Sequence, residues 1–293
     1  MSSTQVRELR NVPAMAPMLA RAVASATRKP GKDPELPDIG VRLSDVIVDA
    51  DHLARYREVC GFSGGDTLPV TYPHMHAHPL FMSLILDSRC PFAAMGLVHV
   101  RNRITCFRPI GVREQLDVES RFGNLERTDK GWEFSIVTSV TTGGELVWES
   151  ESFMLSRAGG GGKSAKKKAP EPEPVTDAEE WKVPGDIGRR YGAVSGDRNP
   201  IHLYPLTAKL FGFKRQIAHG MWSKARCLAE MESDLPRDPF TVDVHFKLPL
   251  FIPAKVKFHR EQQGETTVFR LLGEDGIKPH LYGEISPASN NSS

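Results

Sequence analysis

Long apolar runs and an excess of one charge are both missing from this sequence of 293 residues. The run at Leu80–Leu86 is short and is soon followed by Asp87 and Arg89, whereas a membrane-spanning helix needs about 18 or more apolar residues. The 38 Lys and Arg side chains nearly balance the 36 Asp and Glu side chains, for a net charge of +2. Nucleic-acid binding requires basic residues clustered on one face. We therefore expect neither a membrane span nor a nucleic-acid partner.

Cysteine is scarce, and no two cysteines have the Cys-x-x-Cys spacing of a zinc or redox site. We interpret the four as buried thiols in a reducing compartment; they are Cys60, Cys90, Cys106 and Cys227. The basic N-terminal stretch has no uninterrupted apolar segment of a secretory signal, although a transit peptide remains an alternative. The C-terminus lacks the Ser-Lys-Leu peroxisomal address. These features predict a cytoplasmic protein.

A stretch rich in Gly, Lys and Pro, AGGGGKSAKKKAPEPEP at residues 158–174, divides the chain into two parts of similar size. Such a composition is typical of a solvated linker. The predicted organisation is a lead-in at 1–35, a first half at 36–157, a linker at 158–175, a second half at 176–287 and a tail at 288–293.

The two halves resemble each other. Each contains a helix candidate with apolar residues at helical spacing, followed by a strand with apolar and polar residues in alternation, at Val98–Ile104 and Val242–Leu248. Further strand candidates follow in each half. A helix wrapped by a curved antiparallel sheet buries both apolar faces. The sequence therefore predicts an α+β fold built from two such units.

One stretch carries the most chemistry, Tyr191–His202, which ends in SGDRNPIH. Ser-Gly-Asp and Asn-Pro form turns, so we expect Asp197 and His202 on an irregular loop. A carboxylate and an imidazole that titrates near neutrality are suited to holding a water and passing its proton. At His219-Gly220 a helix is predicted to begin, and its first N–H groups would stabilise an enolate-like oxygen.

SGDRNPIH, with Tyr191 before it and Ala208 after it, resembles the hydratase 2 motif of the MaoC-like (R)-specific enoyl-CoA hydratases and dehydratases. The resemblance implies a double hotdog fold. It also implies reversible hydration of a trans-2-enoyl thioester to the (R)-3-hydroxyacyl thioester, with no cofactor or metal. The acyl group would be carried on CoA or on an acyl carrier protein.

Six positions are candidate site residues, and the resemblance assigns roles to four of them: Asp197, His202, Gly220 and Asn199. The residues implied to be catalytic are Asp197, His202 and Gly220, the last through its N–H. The residues predicted to lie along the substrate are Asn199, Ser195 and His219, and the alternative for His219 is that it caps the helix. Asn199 is also expected to position the loop. Ser195 is expected to form a turn instead of acting as a nucleophile, because Val-Ser-Gly-Asp lacks the strand–turn–helix context of Gly-x-Ser-x-Gly.

The first half departs from this pattern. Gly65-Asp66 imitates the start of the motif, but Thr67–Val70 supplies neither Asn-Pro nor a histidine. Pro79 stands where the second half has the glycine expected at the helix start, and proline has no N–H to donate. We therefore predict a catalytically silent first half.

Several alternatives stay open at this point. His74, His76 and His78 alternate like metal ligands on a strand, but a loop entering the first helix explains them, and no metal is predicted. The chain could also be a hotdog thioesterase, or a non-catalytic acyl-thioester binder or partner subunit. Acyl chain length, the choice between CoA and carrier protein, and monomer or homodimer are not decided by the sequence.

Overall fold

The computed structural model describes residues 5–11, 15–157 and 173–288. The chain divides into two compact units, one of Met1–Ala54 with Gly65–Ala158 and one of Arg55–Gly64 with Gly159–Ser293. The predicted linker at 158–175 and tail at 288–293 lie almost entirely outside the described residues.

The first unit contains a long helix against a six-stranded sheet. Its helices are α1 (Met15–Ala24), the first part of α2 (Ala50–Cys60) and α3 (His74–Ile85), and its strands are β1 (Gln5–Leu9), β2 (Ile39–Val46), β3 (Val98–Cys106), β4 (Leu116–Thr128), β5 (Gly131–Thr142) and β6 (Glu145–Arg157). The strand order is β1-β2-β4-β5-β6-β3. All neighbours are antiparallel except β1 and β2, whose parallel pairing was not expected.

Helix α3 begins at His74, which is earlier than expected, and it packs on β2 and β4. The prediction of a loop at His74, His76 and His78 is therefore wrong. Pro79 lies inside the helix, not at its start. Most α3 side chains are buried, so the helix has no polar stripe from which its true start could be read. Under the first unit's sheet, the buried Trp148 indole donates to the carbonyl of Val70 at 2.8 Å.

The second unit has a five-stranded antiparallel sheet in the order β8-β11-β10-β9-β7. Its strands are β7 (Glu179–Val183), β8 (Phe240–Phe246), β9 (Ala254–Gln263), β10 (Thr266–Gly273) and β11 (Pro279–Pro287), and its helices are α4 (Ile187–Ser195), α5 (Pro200–Leu203), α6 (Pro205–Leu210) and α7 (Gly220–Glu230). Helix α7 packs on β10 and β11 and begins at Gly220, as predicted.

The last part of α2 and the turn after it belong to the second unit. The Trp222 indole N–H donates to the carbonyl of Val59 at 3.0 Å, and the Tyr56 ring lies 6.4 Å from the Tyr191 ring. No pattern in the sequence predicted this exchange of a segment between the two units. It places Tyr56 directly beside the helix that leads into the motif.

Two expectations about composition can be checked directly. All four cysteines are free thiols and are buried, which confirms the prediction of buried thiols. Across residues 5–11, 15–157 and 173–288, none of the helices is long and apolar enough to cross a membrane.

Candidate active site

The motif begins where α4 ends. Gly196 follows Ser195 with φ at 72°, a left-handed conformation that glycine adopts without strain and that ends the helix. Asp197 then lies on a loop, as expected. His202, however, lies in the short helix α5 and not on a loop, because Asn199 and Pro200 provide an N-cap and a first helical residue.

Side chains of the motif hold this loop in place. The N–H of Asp197 donates to Ser195 Oγ at 3.2 Å, and the N–H of Asn199 donates to Asp197 Oδ1 at 3.1 Å. The N–H of Ile201 donates to Asn199 Oδ1 at 3.4 Å. The polar side chains of Ser195 and Asn199 therefore both bond to the backbone of their own loop.

Two glycines let α4 lie against the loop. A Cβ atom at Gly188 would stand 2.0 Å from the carbonyl oxygen of His202, and one at Gly192 would stand 2.9 Å from that of Asp197. Any larger residue at Gly188 would force the backbones apart. The spacing of these glycines on α4 thus sets the positions of Asp197 and His202.

Hydrogen bonds to carbonyl groups fix the two imidazole rings. His202 Nδ1 lies 2.8 Å from the carbonyl oxygen of Ile217, and His219 Nε2 lies 3.0 Å from that of Asp197. A carbonyl only accepts, so each of these nitrogens carries the hydrogen. In a neutral His202 the lone pair is therefore on Nε2. The carboxylate Oδ2 of Asp197 lies 3.8 Å from His219 Nε2.

The site is enclosed but reaches solvent at the carboxylate. His202 is 8% exposed and His219 is 3% exposed, whereas the side chain of Asp197 is 32% exposed. Burial lowers the pKa of His202, and Asp197 and the carbonyl of Ile217 oppose this only in part. His202 is therefore neutral at physiological pH and can accept a proton.

Gly220 begins α7, and His219 is its N-cap residue. In the described chain the N–H groups of Gly220 and Met221 have no backbone acceptor, as expected for the first turn of a helix. The space beside the Gly220 Cα, however, is not open for a ligand. A Cβ atom there would lie 3.0 Å from the ring of Phe246, so the glycine is needed for this packing.

Asp197, His202 and His219 could also supply ligands to a metal ion. Each offers one ligand atom, and these atoms lie within 4.8 Å of one another. Carboxylate and imidazole suit Zn²⁺. His219 Nε2 already bonds to a carbonyl, however, so this ring would have to ligate through Nδ1 or rotate. The arrangement fits a hydrogen-bonded acid–base group more directly.

Tyr191 belongs to the site, although no role was predicted for it from the sequence. Its ring lies 5.0 Å from the ring of His219, and its buried hydroxyl has no hydrogen-bond partner among the described residues. Burial, with Cys60 and Asp197 nearby, raises the pKa of this hydroxyl well above its usual value. Its position just before the motif is the feature of the sequence that could have identified it as a site residue.

The stretch of the first half that corresponds to the motif makes backbone contacts instead of forming a site. Thr67 forms a bridge with Gly111, and the carbonyl of Asp66 accepts from the N–H of Val112. These residues join two backbone segments. The Asp66 side chain is exposed, unlike the half-enclosed carboxylate of Asp197.

Comparison with known proteins shows which family the chain resembles. A family model described as MaoC like domain matches residues 165–278. The 3-hydroxyacyl-thioester dehydratase X of Mycobacterium tuberculosis is 37% identical over 243 residues, which are 80% of this chain and 85% of that protein.

Solved structures agree as well. The crystal structure of HtdX of Mycobacterium tuberculosis has a TM-score of 0.74 at 32% identity and covers 85% of this chain and 100% of that one. A MaoC-like dehydratase from Phytophthora capsici has a TM-score of 0.68 at 18% identity, with 87% and 96% covered, and shows the fold alone. The predicted α+β hotdog fold is confirmed. The chain belongs to the MaoC-like dehydratase family.

Proposed function

We propose that this protein reversibly hydrates a trans-2-enoyl thioester to the (R)-3-hydroxyacyl thioester in fatty-acid metabolism. The observation that carries the proposal is the position of Asp197 and His202 close together at the start of α7. The (R) stereochemistry rests on the resemblance of SGDRNPIH to the hydratase 2 motif. The Mycobacterium tuberculosis relative named as a 3-hydroxyacyl-thioester dehydratase supports the reaction class.

In the hydration direction a water molecule adds across the conjugated double bond. Its oxygen attacks C3 while His202 Nε2, which holds a lone pair, accepts one of its protons. The imidazolium of His202 then gives this proton to C2, so the net change is the addition of one water and His202 returns to its neutral form. Asp197 orients the water through its carboxylate and stabilises the imidazolium that forms. Dehydration follows the same steps in reverse.

Negative charge develops on the thioester oxygen during this reaction. The N–H groups at the start of α7 carry a positive partial charge and are free to donate, so Gly220 N–H is the proposed donor to that oxygen. Asn199 and Ser195 keep Asp197 in place through the loop bonds. His219 lies next to the substrate and buttresses His202.

The proposal also covers the first half of the chain, cofactors, the acyl carrier, the oligomeric state and the compartment. The half at 36–157 is proposed to be catalytically silent, and neither metal nor cofactor is needed. The substrate is carried on CoA or an acyl carrier protein, and the protein is a monomer or a homodimer. Four free, buried thiols support a reducing compartment such as the cytoplasm.

The test follows the loss of absorbance of crotonyl-CoA and of a longer enoyl-CoA. Asp197→Asn and His202→Gln are expected to lower kcat by roughly 10²–10⁴-fold. Asp66→Asn is the matched control in the first half and is expected to retain full turnover. Wild-type protein that releases free thiol without hydrating either substrate would replace this proposal with a thioesterase.

A further inference from the structure

A group of exposed apolar side chains follows directly after the motif. Nine large apolar side chains are exposed in the described residues, and four of them lie within residues 204–211: Tyr204 at 52%, Leu206 at 73%, Leu210 at 78% and Phe211 at 43%. Single exposed apolar residues are common on protein surfaces, whereas a contiguous group of them marks an interaction surface. We refer to these four residues as the apolar ridge.

The helix that carries the ridge is held in place through its other face. Leu206 and Leu210 are one turn apart on α6, so their side chains share one face of the helix, whereas Ala208 points the opposite way and is fully buried. The Thr207 hydroxyl donates to the carbonyl of Pro200 at 2.7 Å. The two leucines are therefore exposed on an anchored helix and not on a frayed one.

Positive charge without negative charge accompanies the ridge. Residues 198–229 contain no aspartate and no glutamate. Lys209 lies on α6 next to Leu210, and Lys214 and Arg215 follow within five residues. All three cations are exposed. This segment therefore combines an apolar surface with an excess of positive charge.

The combination discriminates between the surfaces that could cover the ridge. A second copy of the chain, related by a two-fold axis, would place the same acid-free segment opposite itself, so that cations would face cations. An anionic lipid surface instead complements the charge, and leucine and aromatic side chains enter the boundary between headgroups and acyl chains. Tyrosine, with an apolar ring and a polar hydroxyl, is enriched at that depth. The charge and the residue types therefore favour lipid.

We propose that the apolar ridge docks this protein on the surface of an anionic lipid bilayer. Leu206, Leu210 and Phe211 insert among the headgroups, and Lys209 and Lys214 contact lipid phosphates. This is binding to the membrane surface and requires no membrane-spanning helix. The inference goes beyond the proposed reaction and does not depend on it.

Docking through the ridge brings the candidate active site close to the membrane. His202 and Leu206 are four residues apart, which limits their Cα separation to about 14 Å. Long acyl chains partition into bilayers because of their apolar surface. For the proposed reaction, a docked protein therefore meets long-chain substrates where they accumulate.

Co-sedimentation of the full chain with vesicles tests the apolar part. Vesicles of phosphatidylcholine and phosphatidylglycerol in equal parts should bind the wild type, and vesicles of phosphatidylcholine alone should bind it about ten-fold more weakly. Leu206→Ser/Leu210→Ser should lower the partition coefficient on the mixed vesicles by about ten-fold. The matched control is Val23→Ser/Ile47→Ser, which changes two exposed apolar residues of the first unit and should bind like the wild type.

A second pair of variants tests the cations. Lys209→Gln/Lys214→Gln should lower binding to the mixed vesicles by about ten-fold and make it less sensitive to salt. Lys32→Gln/Lys130→Gln removes two exposed lysines of the first unit, makes the same change in net charge and should retain binding. Urea denaturation should give every variant nearly the midpoint of the wild type, because all the substituted side chains are exposed.

The inference fails if the wild type does not sediment with the mixed vesicles, or if the ridge variants bind no more weakly than their controls. Self-association that Leu206→Ser/Leu210→Ser abolishes, without vesicle binding, would assign the ridge to a second copy of the chain. Binding of an acidic carrier protein that the same variant abolishes, again without vesicle binding, would assign it to a protein partner. The vesicle assay needs no turnover, so its failure is distinguishable from failure of the proposed reaction.

Discussion

The imidazole rings of His202 and His219 lie face to face, with centroids 3.7 Å apart and planes inclined by 26°. Each ring also donates to a backbone carbonyl, so neither can rotate without losing a bond. Two protonated rings in such a stack would repel each other. The arrangement therefore favours neutral His202 and holds its Nε2 in one orientation.

His219 is expected to act by positioning the loop of Asp197. His219→Phe keeps an aromatic ring against His202 but removes the N–H that bonds to the Asp197 carbonyl. Loss of this bond should lower kcat by roughly ten-fold, with a smaller change in KM. Steady-state kinetics on an enoyl-CoA would measure the effect. Full activity in His219→Phe would show that the carbonyl bond is dispensable.

The pH dependence of kcat/KM should reflect His202. Burial lowers the pKa of this imidazole below its ordinary value of 6.5. The neutral, proton-accepting form therefore predominates above pH 6.5, and activity for hydration should fall only as the pH drops further, through the lowered pKa. A profile from pH 4.5 to 8 would test this. An acid limb centred above pH 7 would contradict it.

Gly220 can be tested together with the ring that faces it. In Gly220→Ala the added methyl group would lie 3.0 Å from Phe246. Overpacking of this kind costs about 1–3 kcal/mol, and it would displace the start of α7 and lower turnover. Phe246→Leu in the same chain should restore both stability and activity. Phe246→Leu alone is the control.

The double variant Gly220→Ala/Phe246→Leu distinguishes between two reasons why position 220 requires a glycine. Recovery of turnover would show that Gly220 is required because of Phe246. A stable but inactive double variant would show that the ligand itself needs the space. Denaturation curves and enoyl-CoA kinetics on the same samples distinguish these outcomes.

His76 in the first unit should make stability depend on pH. Burial, and to a smaller extent His52, lowers the pKa of His76 from 6.5 to about 4. The unfolded chain therefore binds this proton first as the pH falls, and the free energy of unfolding should decrease between pH 6.5 and pH 4 by up to about 3 kcal/mol. Urea denaturation at several pH values should show a flatter dependence in His76→Gln, and an unchanged slope would refute this assignment.

Turnover should not depend on a metal ion. The bonds of His202 and His219 to carbonyl groups complete a proton-transfer arrangement without one. Dialysis against a chelator is therefore expected to leave kcat unchanged, and elemental analysis should find substoichiometric metal. Loss of activity that added Zn²⁺ restores would instead assign Asp197, His202 and His219 as ligands.

Strands and helices that depend on the pattern of neighbouring residues could be predicted from the sequence. Alternation of apolar and polar residues predicted β3 and β8 because one face of each strand is buried. Helical spacing and the His219-Gly220 signal predicted the start of α7. Helix α3 was mispredicted at its start because it is buried on most sides. Helix α5 was missed because a four-residue helix is too short to show periodicity.

The sequence by itself determined the α+β fold, the two-part repeat and the motif that contains Asp197 and His202, since all depend on residues near one another in the chain. Only the tertiary structure stacked His219 on His202, placed Phe246 against Gly220 and gave part of α2 to the second unit. It also set Lys182 opposite Lys255 across two strands. These pairs are distant in sequence or depend on strand register, which packing of the whole unit decides.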